Sequence, residues 1–326
     1  MLKIDALKEH VQRHYGIHGA ITAVPRGRAS NYAVSEAGSR WLLKVFQPEY
    51  TRTKIEQAAD FVSFLVSAGY PAQEFVPSTN GARVLTLENR PTVLIPWIDG
   101  ETPEPNTLPT LVALEQVGAL CGYLHRLGQA YPRAATLAYA GSARDLANKR
   151  DGLLRVAGEQ RDEPEIVNEI GIRTAILEAL GEELDRSQQH ARLGVIHGDF
   201  SGAHVVFQDG RPVGVIDVLG EQYLPGWELM RAFFQSVPAA GEWPMALEAQ
   251  WRAYIGGYAR ECSIQPHEVA VDYDTYLLQL TASTYGLRKP LDDGLRAFGR
   301  WRTQLAHHLA EHRRELREMM ASHVRP

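Results

Sequence analysis

Cysteine is scarce: only Cys121 and Cys262 occur in 326 residues. Two isolated thiols cannot build a CxxC pair, a zinc knuckle or a disulfide framework. Two buried reduced side chains are the expected state, with a single bridge between them as the alternative. No apolar run reaches the roughly 18 residues that cross a bilayer. The opening stretch, MLKIDALKEHVQRHYGIHG, scatters charges where a secretory signal would have an apolar core, so a cytoplasmic location is expected. Neither charge dominates, with 34 Lys and Arg against 39 Asp and Glu and a net −5. That balance gives no global attraction to nucleic acid or to an anionic membrane. Neither GxGxxG nor GxxxxGK[ST] occurs anywhere in the chain.

What is present reads as an ordinary globular protein, 44% hydrophobic and 22% charged. The length suggests roughly two domains or lobes. After a short leading helix, Ala20–Val24, Tyr32–Ser35 and Ser39–Phe46 read as strands, with the polar turn Pro25–Asn31 before the second and Glu36-Ala37-Gly38 before the third. Thr51–Ala68 reads as a helix on the spacing of Ile55, Ala58, Val62 and Leu65, stopped by Gly69 and Pro71. Arg83–Leu87 and Thr92–Ile98 read as two further strands. Residues 99–110 carry three prolines and no apolar period, which divides the chain into 1–98 and 99–326. Beyond it, helical periods cover Leu111–Leu127, Arg173–Leu184, Gly226–Ser236, Glu242–Cys262, Asp272–Tyr285 and Leu295–Ala321. Short β-rich segments at 195–196, 205–208 and 213–218 interrupt them, with Asp209-Gly210 as a turn.

That interruption, VIHGDFSGAHVVFQDGRPVGVIDVL, carries the chemistry. Asp199 follows an apolar strand, and Asp217 ends the strand that returns from the hairpin. The hairpin brings the two carboxylates near one another, where they repel unless a cation or proton lies between them. A hard divalent ion joins one or two carboxylates to substrate phosphates. In RWLLKVF, alternation places Leu42, Lys44 and Phe46 on one face and Trp41, Leu43 and Val45 on the other. Lys44 among apolar neighbours needs a partner or a route to solvent. Thr53-x-x-Glu56 reads as a capping box.

HGDxxxxH, a hairpin and then Ile-Asp resemble the catalytic loop and metal-binding Asp of the aminoglycoside phosphotransferase family. That family includes choline-kinase-like and homoserine-kinase-like enzymes. The resemblance implies an α+β, bilobed protein-kinase-like fold. Its N-lobe (1–98) is an antiparallel sheet with one helix, and its C-lobe (99–326) is mostly helical. It implies ATP (or GTP) and Mg²⁺ as cofactors and a small-molecule hydroxyl as acceptor. By motif position, Asp199 takes the role of base and Asp217 holds the metal. His204 stands where the family usually has Asn, as in its macrolide branch, either beside the metal or hydrogen-bonded to Asp199. Lys44 takes the phosphate-binding lysine's place, with Glu56 as its candidate partner, although the family pattern points to Ala58. Ser30 and Asn31 fall in the phosphate-covering turn, and Trp97 and Ile98 fall in the hinge that faces the adenine. His125 and His197 read as structural. Glu228, where the family has Asp, reads as a cap or a partner of Arg231. Trp251, Tyr254, Tyr258, Tyr273, Tyr276 and Tyr285 read mainly as core. The segment from Asp217 to Pro225 lacks an APE-type anchor, which argues against a protein substrate. The rival class is a catalytically silent relative of the same fold.

Overall fold

A computed structural model describes residues 3–24, 29–104, 107, 110–137, 146–237, 245–288 and 293–324. Residues 25–28 of the expected turn Pro25–Asn31, part of the proline-rich stretch (105, 106, 108 and 109) and the start of the helix expected from Glu242 lie outside the described residues.

Five strands form one antiparallel sheet in the order β1-β2-β3-β5-β4. They are β1 (Ala20–Val24), β2 (Ser30–Glu36), β3 (Ser39–Val45), β4 (Leu85–Leu87) and β5 (Arg90–Pro96). The tight turns Ala37-Gly38 and Glu88-Asn89 put their central residues at positive φ, the geometry that matches strand twist. The alternation along β3 sorts its side chains onto two faces. Leu43 and Val45 pack with Leu7 and Val11 of α1 (Ile4–Tyr15). Leu42 and Phe46 pack with Ile55 and Ala59 of α2 (Arg52–Ser67). The sheet is therefore covered on both faces, and the leading helix is a structural layer of this region. The N-cap of α2 is Thr51, whose hydroxyl accepts from the Lys54 N–H at 3.2 Å. The capping box expected from Thr53 and Glu56 does not form, because both residues lie inside the helix.

The remainder is mostly helical. It contains α3 (Leu111–Ala130), α4 (Leu146–Glu159), α5 (Pro164–Gln188), α6 (Pro225–Ser236), α7 (Met245–Glu261), α8 (Pro266–Ala282), α9 (Asp293–Glu311) and α10 (Arg313–Ser322). Helices α3 and α7 meet backbone to backbone. A methyl added at Gly118 would lie 2.0 Å from the Tyr254 carbonyl oxygen, and one at Gly257 would lie 2.0 Å from that of Glu115. Trp251, Tyr254, Tyr258, Tyr273 and Tyr276 are buried in this core, each contributing on the order of 2–3 kcal/mol of apolar burial. Both cysteines are free and buried. The helix expected over 295–321 is broken at His312, where the backbone leaves helical geometry (φ −101°, ψ 18°). Arg313 then bonds Asp274 through two nitrogens at 2.8 Å each, and Trp251 Nε1 donates to the Met320 carbonyl at 2.8 Å. Tertiary bonds to buried groups thus fix α10 where local periodicity shows one helix.

Four short strands sit among these helices. Strand β7 (Val205–Gln208) pairs with β8 (Arg211–Val215), and β6 (Gly194–Ile196) pairs with β9 (Glu221–Tyr223). The hairpin β7–β8 is tied to the first part of the chain at two points. Glu101 and Phe207 exchange two backbone hydrogen bonds of 2.8 Å, and Val215 N–H donates to the Pro71 carbonyl at 2.7 Å. Among the described residues, no helix is long and apolar enough to cross a membrane.

Candidate active site

The loop between β6 and β7 is built around one carboxylate. Glu228, in the first turn of α6, is 0% exposed. Its Oε2 accepts from the His197 N–H (2.9 Å) and faces His125 Nε2 (3.2 Å). Its Oε1 accepts from the Gly198 N–H (2.8 Å) and the Phe200 N–H (3.4 Å). Burial by itself would raise this carboxyl. The His125 imidazole and the His197 N–H outweigh it and hold Glu228 well below the ordinary range. Glu228 therefore has the structural role expected of it, with His125 and backbone N–H groups as its partners in place of Arg231. It gathers the backbone of the HGD turn, in which Gly198 adopts φ 98°, a conformation costly for any residue with a Cβ.

The two histidines complete the frame. His125 Nδ1 lies 3.0 Å from the Tyr258 hydroxyl. His197 Nδ1 accepts from the Asp199 N–H at 3.2 Å, and its Nε2 donates to the Ile216 carbonyl at 2.9 Å. The last bond joins the HGD turn to the residue before Asp217. On the same strand end, Ile216 N–H donates to the His204 carbonyl at 2.9 Å.

Asp199 is thereby presented with about half of its side chain exposed. Arg231 holds one of its oxygens in a close ion pair and donates to the Phe200 carbonyl at 2.8 Å. His204 Nε2 lies 3.5 Å from the other oxygen, and His204 Nδ1 lies 3.1 Å from Ser201 Oγ. Burial first, and then the neighbouring His197, pushes His204 down to about 4, so the ring is neutral at neutral pH.

Asp217 and Asp199 both act electrostatically on the His204 ring. The Asp217 backbone sits at φ 63°, in the left-handed region where a non-glycine residue is held only by its surroundings. Lys44 Nζ donates to Asp217 Oδ1 at 2.7 Å. Burial would raise the Asp217 carboxyl, but the adjacent Lys44 ammonium and its hydrogen bond hold it below the ordinary range, so it is ionised. Lys44 and Asp217 also border a small cavity walled by Phe46, Phe75, Val93 and Ile95.

Glu56 is not the partner of Lys44: it lies on the outer side of α2 and accepts from Arg52 Nε at 2.8 Å. The inward positions of α2 are Ile55, Ala58, Ala59 and Val62, and its charged link to the site is Lys54 Nζ donating to Glu221 Oε1 at 2.7 Å. Ser30 Oγ accepts from Arg90 at 3.3 Å, and Asn31 lies opposite Lys44 in the β2–β3 register. The Trp97 N–H is used by the Arg40 carbonyl at 3.0 Å, so Trp97 does not offer the hinge donor expected of it. The Ile98 side chain instead packs over Gly214 of β8.

Beside the HGD turn opens a cleft of about 670 Å³ between Gly198, Glu221, Trp227 and the segment 282–288, with Lys149, Arg288 and Arg302 on its walls. Tyr285, of the aromatic set, is 43% exposed and lines it. Sequence reasoning missed Arg302. Its signal is positional: it stands four residues after Phe298 and three before Leu305, on the apolar stripe of α9, where an arginine is out of place.

Residues 20–261 match the Phosphotransferase enzyme family. The chain is 24% identical over 189 residues to a homoserine kinase of Caulobacter sp. (strain K31), a match covering 58% of this chain and 55% of that relative. The chain thus spans about half the length of this curated relative. Among solved structures, a microcompartment-associated aminopropanol kinase superposes with TM-score 0.71 at 17% identity, covering 97% of this chain and 99% of that one. An amicoumacin kinase in complex with AMP-PNP, Ca²⁺ and Ami superposes with TM-score 0.70 at 14% identity, covering 94% of each chain. Identities this low establish a shared fold.

Proposed function

The chain belongs to the phosphotransferase enzyme family, and from that premise we propose that it transfers the γ-phosphoryl group of ATP to a hydroxyl of a small molecule. The observation that carries this reading is the arrangement around His204. An ionised Asp217 paired to Lys44 and an exposed Asp199 held by Arg231 both act on that ring. Asp199 accepts the proton of the acceptor hydroxyl as its oxygen attacks phosphorus. Arg231 fixes the carboxylate's orientation, and the Glu228 network fixes the loop beneath it. Lys44 places an ammonium against the phosphates, as phosphoryl transfer requires positioning and charge compensation more than covalent help.

The donor set fits a hard cation at Asp217. Its carboxylate is held ionised, the oxygen donor that a hard ion takes beside phosphate and water. Mg²⁺ would there offset phosphate charge. His204 is assigned to Asp199 and Ser201, because its two nitrogens face those groups and imidazole suits so hard an ion poorly. A second reading, nucleotide binding without turnover, has one observation in its favour: α2 supplies no carboxylate to Lys44.

The test is nucleotide consumption with Mg²⁺ across amino alcohols, hydroxy amino acids, sugars and antibiotics, with ATP and GTP compared. Asp199→Asn should keep the ADP-induced thermal shift and lose about 10²–10⁴-fold in turnover, the usual worth of a positioned base. Unchanged turnover would remove Asp199 from the mechanism.

A further inference from the structure

We propose that Arg302 is the specificity-determining residue of the acceptor cleft, and that it receives a carboxylate of the acceptor, making the substrate a hydroxy acid or hydroxy amino acid. This rests on the phosphotransferase reading above and sharpens it.

Four observations carry the inference. Arg302 lines the same cleft as Gly198 of the HGD turn. Its Nε is shut off from solvent with no hydrogen-bond partner, and no ion pair to it is found among the described residues. Its guanidinium carbon lies 5.7 Å from the centre of the Phe298 ring, and an aromatic face does not replace a counter-anion. Cations nearby add to the deficit, since Arg231 and Arg173 both act on it or are acted on by it. Arg231 is satisfied by Asp199, and Arg173 by Thr303 and two carbonyls. Among the described residues, Arg302 alone of the three has no acceptor for its Nε. Burial leads in pushing its guanidinium down and Arg231 adds to it, while Tyr276, Tyr285 and Asp199 work against them without fully offsetting the burial.

The cleft as a whole has the same sign. The charged side chains that line it are Lys149, Arg288 and Arg302 against Glu221; Lys54 engages Glu221 and Lys149 has its own partner, so Arg288 and Arg302 carry the excess. Such walls repel a polycation. They attract an oxyanion, and an arginine fork matches a carboxylate geometrically. The nucleotide's phosphates are the other source of oxyanions. However, Lys44 and Asp217 border a separate cavity that shares no lining residue with this cleft, which places Arg302 on the acceptor side.

Matched acceptors test the assignment, because L-homoserine and 3-amino-1-propanol differ only by a carboxylate, as do L-threonine and 1-amino-2-propanol. The wild-type protein should have the higher kcat/KM for the acid of whichever pair it phosphorylates. Arg302→Gln should lower that value by at least about 30-fold, the usual cost of removing one partner of a buried charged contact. It should leave the amine's value and the ADP-induced thermal shift unchanged, and Arg302→Lys should restore part of the loss. Calorimetric titration of the ADP-bound protein with each acid and amine gives the same comparison without turnover. Preference for the amines, or an equal loss for both members of a pair in Arg302→Gln, overturns the inference while the phosphotransferase reading stands. If ADP gives no thermal shift and no acceptor is phosphorylated, the reading of the site fails first, and the inference falls with it.

Discussion

Replacing Glu228 with Gln keeps the shape of the side chain and reverses the hydrogen-bonding sense of one end. In the native protein each carboxylate oxygen faces two donors: His197 N–H and His125 Nε2 on one, Gly198 and Phe200 N–H groups on the other. Glutamine turns one oxygen into NH₂, so two donors face a third donor in a site closed to water. Hydrogen bonds to a charged acceptor are worth roughly 1.5–3 kcal/mol each. Losing two, with donors left unpaired, should cost about 3–5 kcal/mol, in line with breaking other buried charged contacts. With an m-value on the order of 3 kcal/mol/M in urea, the unfolding midpoint should fall by about 1 M or more, and turnover should fall with it as the HGD turn loosens. The pH dependence follows the same network. The folded carboxyl is held below its ordinary value of 4.5, so its contribution is complete above that pH and is lost as pH falls through the depressed folded value. The wild-type advantage over Glu228→Gln should therefore be flat near neutrality and shrink in acid. A variant whose urea midpoint stays within about 0.2 M of wild type at pH 7 would show that these contacts do not hold the loop.

Three further outcomes are expected. Lys44→Met should weaken nucleotide binding by about 10–100-fold, the worth of one charge-assisted contact, read by ADP titration calorimetry; unaltered affinity would take Lys44 off the phosphates. His204 stays neutral down to about 4 in the folded protein against 6.5 unfolded, so wild type should lose stability relative to His204→Asn as pH falls from 6.5 toward 4, by up to about 3 kcal/mol, with no change above 6.5; a gain in acid would refute it. Gly118→Ala should destabilise by about 1–3 kcal/mol or more, because the methyl meets the Tyr254 carbonyl, whereas Gly158→Ala, in open space on α4, should be neutral to stabilising by up to about 1 kcal/mol; equal thermal melts for the two would deny the close α3–α7 contact.

The local features of the chain were legible where a short-range pattern carries them. The β3 alternation sorts Leu43 and Val45 from Leu42 and Phe46 onto the faces they occupy. The stripe of Ile55, Ala58, Val62 and Leu65 is the buried side of α2. The hairpin between Val205 and Val215 follows from its β-rich legs and its Asp-Gly turn. Less legible were α4, strand β9, the full length of α5 from Pro164 and the break at His312. There, apolar periods are weak, or a bond to a distant residue such as Asp274 decides the backbone.

The sequence by itself determined which residue types could do chemistry here: the HGD turn, the second Asp after a hairpin and a lysine set in an apolar strand. Their order and spacing are covalent facts. Which charge meets which was decided only in three dimensions. Lys44 reaches Asp217 across 173 positions, Arg231 takes Asp199 while Glu228 turns to the backbone, and Glu56 faces outward. Ion pairs between distant segments are selected by distance and burial after packing, and local spacing carries no information on either. An arginine with no ion-pair partner among the described residues, as at position 302, becomes visible only once the chain is packed.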